Sequence, residues 1–308
     1  MRRLRASIEH QGLAEAVSVL NPTHEVALFD SVAHPMFGKP FVVRVDGVYY
    51  DGSLSENERE ARNAPIRASL ERAIGCIYQS EHARKMCESI LSVSPSRSTV
   101  INNAVPLSLF SPEGADMRRE LGFAPETRVI VGSAKWRPVK RPHAYLEVLE
   151  ALRESGDDYR LLLLGETPGI EFDPELVVTA GQLAPDDLAP WYRTGDVFLN
   201  LAYGDPCDNT VVEAAASGLP CVVTWIGGSA EVVRRAHAGR VSSCEPEFRY
   251  GEYTDTRLLP AIDAETVAED VRAVFEDLPA YRAAIRRSEL DIDRAARQYV
   301  AFLEEVLA

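Results

Sequence analysis

The sequence predicts an α/β protein with two parallel sheets, the amino-terminal one reduced, and three observations carry that expectation. Short apolar runs of buried-strand type recur along the chain, helical patterns lie between many of them, and a Pro- and Gly-bearing segment interrupts the series near residue 110. The runs cover 25–29, 41–45, 74–78, 99–101, 128–131, 160–164, 197–201 and 221–225, and the helical patterns 65–72, 82–91, 143–153, 186–193, 209–217 and 230–236. Strand alternating with helix in this way marks crossover connections, because a parallel neighbour cannot be reached by a tight hairpin. A final amphipathic pattern, 295–307, can pack on either half.

The segment "PLSLFSPEGADMRRELGFAPET", 106–127, carries three prolines and two glycines ahead of a fresh strand, so the division is placed at 1–110 and 111–308. The first part has about four strands; the second supports a complete Rossmann-like unit. Its 308 residues, 46% hydrophobic and 26% charged, describe an ordinary globular chain. With 33 Lys and Arg against 47 Asp and Glu the net charge is −14, which argues against general attraction to nucleic acid or an anionic membrane. An anionic ligand would have to be held by a local cluster.

Cys76, Cys87, Cys207, Cys221 and Cys244 are odd in number and form no CxxC pair, so neither a disulfide framework nor a zinc site is expected. The basic start MRRLRASIEHQG is followed by no apolar run of leader length, and no stretch approaches the length of a membrane span. The expected setting is the cytoplasm, with reduced thiols.

Chemistry concentrates in three places of the second part. In "VIVGSAKWRPVKRPHAYLEVLEAL" a buried strand ends at Gly132 and four cations follow, Lys135, Arg137, Lys140 and Arg141, before a helix begins near Pro142. Ligands of open parallel sheets lie beyond the carboxyl ends of strands, where this loop falls. Four cations in an acidic protein read either as a phosphate site or as a solvated basic loop. Neither GxxxxGK[ST] nor a strand-borne GxGxxG is present, which disfavours a P-loop nucleotidase or a dinucleotide enzyme.

"TWIGGSAEVVRRA" runs from a strand through Gly227 and Gly228 into a helix near Ser229. Paired glycines permit close backbone approach, and a helix amino-terminus offers free amides to a phosphate, though a turn of this kind can also be purely geometric. The third place, "GDPCDNTVVEAAASGLPCVV", sets Asp205, Asp208 and Glu213 around a short apolar helix. Asp208 reads as a cap of that helix ahead of a ligand contact. Glu213 can accept hydrogen bonds from both hydroxyls of a ribose, and Asp205 from those of a second sugar. Cations, diglycine and hydroxyl-binding acids together describe a nucleotide-sugar site.

The second part resembles the donor domain of retaining GT-B glycosyltransferases, especially glycosyltransferase family four. That family carries two glutamates separated by seven residues, an alanine-rich helix, a G-x-P turn, a strand and GGxxE. Here the series is Asp205, Glu213, "AAASGLP", "CVVTW" and Gly227-Gly228-Ser229-Ala230-Glu231, about 27 residues in order. The family's GRLxPxK loop is similar to "AKWRPVK", matching its arginine with Lys135 and its lysine with Lys140. "RVDGVYYD", "IYQSEHARKM" and "VINNAVPLSLF" resemble acceptor-domain segments of one branch.

The resemblance implies a GT-B fold and transfer of a sugar from a nucleoside diphosphate to an acceptor hydroxyl with retention, with no cofactor and no required metal. It implies that Lys135 and Lys140 neutralise the diphosphate, with Arg137 an extra cation. The backbone of Asn209 and Thr210, with Gly227 and Gly228, would also hold the diphosphate. Glu213 would bind ribose, Asp205 the transferred sugar, and the stretch at Gly181 and Leu183 the base. Asp46 stands where many relatives carry a histidine near the donor sugar. Asp205 departs from the family's glutamate by one methylene, and the glycine-rich opening of the acceptor domain is not seen before Glu25. The acceptor is therefore unspecified, a homo-oligomer is left open, and the competing class is a non-catalytic nucleotide-sugar binder or a subunit that needs a partner.

Overall fold

A computed structural model describes residues 1–18, 21, 23–167, 169–245 and 247–308. In chain order the first elements are α1 (Arg2–His10), β1 (Ala27–Asp30), β2 (Phe41–Val45), α2 (Glu56–Arg72), β3 (Gly75–Tyr78), α3 (Glu81–Leu91) and β4 (Ser98–Val100). They are followed by β5 (Arg128–Ser133), α4 (Pro142–Arg153), β6 (Tyr159–Leu164), β7 (Val177–Gly181), α5 (Leu188–Thr194), β8 (Val197–Asn200) and α6 (Asn209–Ala216). The series ends with β9 (Cys221–Thr224), α7 (Ser229–Ala236), β10 (Gly239–Ser242), α8 (Ala264–Glu276), α9 (Leu278–Ala284) and α10 (Ile292–Leu307).

The chain forms two compact units, each assembled from separate stretches. One comprises Met1–Asn103, Phe248–Leu258 and Asp291–Ala308; the other comprises Ala104–Glu247 and Leu259–Leu290. In the first, β1, β2, β3 and β4 lie side by side in that order, all parallel. The last helix, α10, belongs here: Ser7 Oγ on α1 donates to Asp293 at 2.6 Å, and the Val306 and Phe302 side chains crowd the space above Gly75. Helix α2 begins nine residues ahead of the predicted 65–72, because Ser55 and Glu58 form a capping box.

The second unit holds a six-stranded parallel sheet in the order β10-β9-β8-β5-β6-β7. The inner strands read as continuous apolar runs because they are covered on both faces. Val129 and Val131 of β5, Leu162 and Leu164 of β6 and Phe198 of β8 join a cluster with Tyr192, Val211 and Val232 from α5, α6 and α7. Ile130, Leu161, Leu163, Val197 and Leu199 point the other way, into a cluster with Val148 of α4 and Val271 of α8. Strands β7 and β10 are missing from the sequence reading because, as sheet edges, they carry polar residues such as Thr179, Arg240 and Ser242 in place of an apolar run.

Strand β5 is central: β6 and β7 follow on one side, and β8, β9 and β10 on the other. The order therefore reverses between β5 and β8, and the loops leaving their carboxyl ends border one crevice. All five cysteines are free and buried; burial pushes the Cys244 thiol up to about 11, which keeps it protonated and unreactive at neutral pH.

Candidate functional site

The loop after β5 is pinned by Trp136. Its indole N–H donates to Leu164 O at 3.1 Å and its ring stands edge-on to Tyr145 at 5.0 Å. With Trp136 buried, its neighbours Lys135 and Arg137 face solvent, and no ion pair or side-chain hydrogen bond engages either among the described residues. A single 3-10 turn, Pro138–Lys140, then brings Lys140 inward, where its side chain is only 7% exposed.

The loop after β8 meets it. Tyr203 N donates to Val139 O at 2.9 Å, and Lys140 Nζ donates to Asp205 Oδ2 at 2.7 Å and to Asp208 Oδ2 at 2.5 Å. Burial alone would depress the lysine, but the charges of Asp208 and Asp205 outweigh it and hold the ammonium above the ordinary lysine range. The two acids differ. Asp208 also accepts from Asn200 Nδ2 at 2.9 Å and Thr210 Oγ1 at 3.0 Å, and caps α6 through Thr210 N at 3.4 Å. Burial acts to raise it, yet Lys140 and these donors hold it below the usual aspartate value. Among the described residues Asp205 receives only Lys140 and the Cys207 amide, and burial with the neighbouring Asp208 charge lifts it above that value despite Lys140.

A third loop joins from β9. Gly228 N donates to Asp205 O at 2.9 Å, and Gly227, at φ 132°, lies so close that a Cβ would stand 3.0 Å from the same oxygen. The diglycine thus lets two loops touch, and the Gly228 amide is already engaged, contrary to its expected service to a phosphate. The first turn of α7 instead carries Ser229, whose hydroxyl is buried without a hydrogen-bond partner among the described residues, and no described side chain caps that helix. Sequence reasoning passed over Ser229; its place directly after the diglycine was the available signal.

On α6 the Thr210 amide is taken by Asp208, whereas Asn209 is exposed and its amide carries no hydrogen bond among the described residues. One turn further in, Glu213 is buried and accepts from Tyr192 OH at 3.0 Å. Burial and then the Glu213 charge drive the tyrosine well above its usual range, so it remains a donor. Tyr192 OH also stands 3.4 Å from Ser133 Oγ, which ties Glu213 to the end of β5.

The remaining predicted residues lie elsewhere. Gly181 ends β7 at φ 65° and accepts from Gly165 N at 2.8 Å, while Leu183 packs on the cluster that holds Tyr192. Asp46 belongs to the first unit, half-exposed beyond β2, where it pairs with Arg44 and accepts from Gln79 Nε2 at 2.8 Å. Arg141 drops out of the cationic loop altogether. Its guanidinium is buried in an ion pair with Glu245, donates to Pro260 O at 3.1 Å and sits 5.0 Å over the Tyr203 ring. Among the described residues no group of three His, Cys, Asp or Glu is placed to hold a metal ion, and no helix is long and apolar enough to cross a membrane.

Residues 125–277, which contain these loops from Lys135 to Ser229, match the model of the family Glycosyl transferases group 1. The matched segment spans just under half of the chain. Among curated relatives, D-inositol 3-phosphate glycosyltransferase of Segniliparus rotundus is 28% identical over 230 residues, covering 67% of this chain and 51% of the relative. The protein of the same name from Mycolicibacterium gilvum is 27% identical over 187 residues, covering 56% and 41%. The chain thus spans about half the length of the curated relatives it matches. Among solved structures, HepE of Anabaena in complex with UDP and glucose superposes with a TM-score of 0.65 at 17% identity, covering 87% of this chain and 72% of that one. Sucrose-phosphate synthase of Thermosynechococcus elongatus gives 0.61 at 18% identity, covering 92% and 71%. The fold is that of the GT-B glycosyltransferases, with four strands in the first sheet against six in the second.

Proposed function

We propose that this chain is a retaining member of the group 1 glycosyltransferases that moves a sugar from a nucleoside diphosphate to an acceptor hydroxyl. The observation that carries the reading is the meeting of the Lys140 loop, the Asp205–Asp208 loop and the diglycine turn at the switch point of a parallel sheet. A buried ammonium with a remaining N–H, two solvent-facing cations on the same loop, the Asn209 amide and the orphan Ser229 hydroxyl are donors suited to a diphosphate. Glu213 is suited to the ribose diol, and Asp205 to the transferred sugar.

In this reading the chain accelerates transfer by fixing the two substrates and by meeting charge that grows on the leaving diphosphate. Lys135, Arg137 and Lys140 supply that charge, and the leaving phosphate itself takes the acceptor proton on the same face of the sugar. Because side-chain cations neutralise the diphosphate, turnover is expected to persist in excess chelator. A rate abolished by chelation and restored by a divalent ion would sink the metal-free part of the proposal.

The test incubates the protein with labelled uridine, guanosine, adenosine and thymidine diphosphate sugars and follows release of sugar, including slow hydrolysis. Tight binding without turnover of any donor would favour the second reading, a nucleotide-sugar binder completed by a partner. The chain's coverage of about half of its curated relatives is the observation on that side.

Glu213→Gln tests the ribose assignment. A hydrogen bond to a charged group contributes about 1.5–3 kcal/mol, so calorimetry should read roughly ten- to a hundredfold weaker nucleoside diphosphate binding and unchanged inorganic pyrophosphate binding. Equal losses for both would remove Glu213 from the ribose.

A further inference from the structure

We propose that Asp208 is a positioning residue: as the permanent partner of the Lys140 ammonium, it leaves Asp205 as the carboxylate released to a sugar hydroxyl when donor binds. The assignment rests on the donor-site reading above and deepens it.

The geometry separates the two acids. Asp208 accepts four hydrogen bonds, from Lys140, Asn200, Thr210 Oγ1 and Thr210 N, which fills the acceptor sites of its two oxygens. It has nothing left for a ligand. Asp205 accepts one bond on each oxygen, from Lys140 and the Cys207 amide, and its side chain is 21% exposed against 10% for Asp208. A buried ammonium deprived of all counter-charge is strongly disfavoured, so before the diphosphate reaches it Lys140 can let go of one carboxylate only while the other stays. With Asp208 in place, departure of Asp205 leaves a neutral pair behind. Without it, Asp205 becomes the sole carboxylate partner of Lys140 and is held there until the diphosphate displaces it.

Sequence reasoning favours the helix cap for Asp208 over a ligand contact, and the cap is real. The two roles part in Asp208→Ser, because serine caps a helix as well as aspartate does but is too short and uncharged to hold Lys140. Should that variant fail to fold by circular dichroism, Asp208→Asn keeps both cap and shape while removing the charge.

The experiment measures, by calorimetry, the affinity ratio between sugar-linked and free nucleoside diphosphate. The probes are the four diphosphates, each free and linked to glucose, galactose, mannose or N-acetylglucosamine, and the conjugate favoured most by the unaltered protein is carried forward. That preference is expected to be about tenfold or more and to fall to within about twofold of unity in Asp208→Ser, Asp208→Asn and Asp205→Asn alike. The double variant Asp205→Asn, Asp208→Asn should lose no more than either single one, since one residue acts through the other. A ratio preserved in the Asp208 variants, or losses that add in the double variant, overturns the assignment while the donor site stands. So does an unaltered protein with no preference for any conjugate, which would deny Asp205 a sugar contact. If no free diphosphate and no conjugate binds the unaltered protein, the donor-site reading falls and takes this assignment with it.

Discussion

Lys140→Ala is expected to lose nucleoside diphosphate binding by roughly ten- to a hundredfold, the span that follows from about 1.5–3 kcal/mol for one charge-assisted contact. It is also expected to destabilise the fold. The side chain is buried between Asp205 and Asp208, so its removal leaves two carboxylates facing each other without a counter-ion. Breaking a buried pair in this manner costs about 3–5 kcal/mol.

The sign of the pH dependence follows from the same pair. In the unaltered protein Lys140 holds Asp208 below its ordinary value, so the stability that Asp208 contributes is full above the unfolded aspartate value and fades as pH falls through the lower folded one. Without Lys140 both carboxylates move upward, and folding then favours proton uptake. The deficit of Lys140→Ala should therefore be largest near neutrality and shrink as pH is lowered from about 7.5 to about 5. Urea unfolding at several pH values reads it. A deficit that is constant with pH, or that grows in acid, would mean the two aspartates do not confront one another once the lysine is gone.

Gly165→Ala is expected to be the most damaging single change near the site that touches no charged group. Gly165 follows β6 at φ 107°, where an L side chain is strained, and a Cβ would stand 2.1 Å from Ala134 O. That carbonyl belongs to the loop that carries Lys135 and Lys140, and the Trp136 indole lies 3.3 Å from the same point. Relief requires either breaking the Gly165 N to Gly181 O bond of 2.8 Å or lifting the loop away from the sheet. Combined backbone strain and overpacking of this kind costs about 4 kcal/mol or more. Urea unfolding should show the loss, and calorimetry with uridine diphosphate should show that binding goes with it. An unchanged unfolding midpoint would mean the loop moves aside freely, and the pinning by Trp136 would have to be abandoned.

The sheets were legible in the sequence wherever a strand is covered on both faces. The run at 41–45 coincides with β2 to the residue, and 128–131 and 160–164 fall within one residue of the starts of β5 and β6. The edges β7 and β10 escaped, because a strand with one open side has no need of an apolar run. Helix α8, with Val267, Val271 and Val274 buried, escaped although its Asp263 cap and apolar spacing were in view. Within the site, the acids and cations were visible as residue types at characteristic spacings, but their pairing was not. Arg141 counted with the cationic loop until Glu245, 104 residues later in the chain, was seen to hold it.

By itself, then, the sequence determined a parallel α/β protein, the loops that border its crevice, and the acids, cations and diglycine of those loops, because periodicity and spacing are local properties of a chain. Tertiary structure alone decided which of those groups are still available. It joined Lys140 to Asp205 and Asp208, 65 and 68 residues away, engaged the Gly228 amide with Asp205 O, and left the hydroxyl of Ser229 without a partner. The physical reason is that a buried charge or amide takes its state from whichever group packing brings within about 3 Å, and sequence distance does not enter that choice.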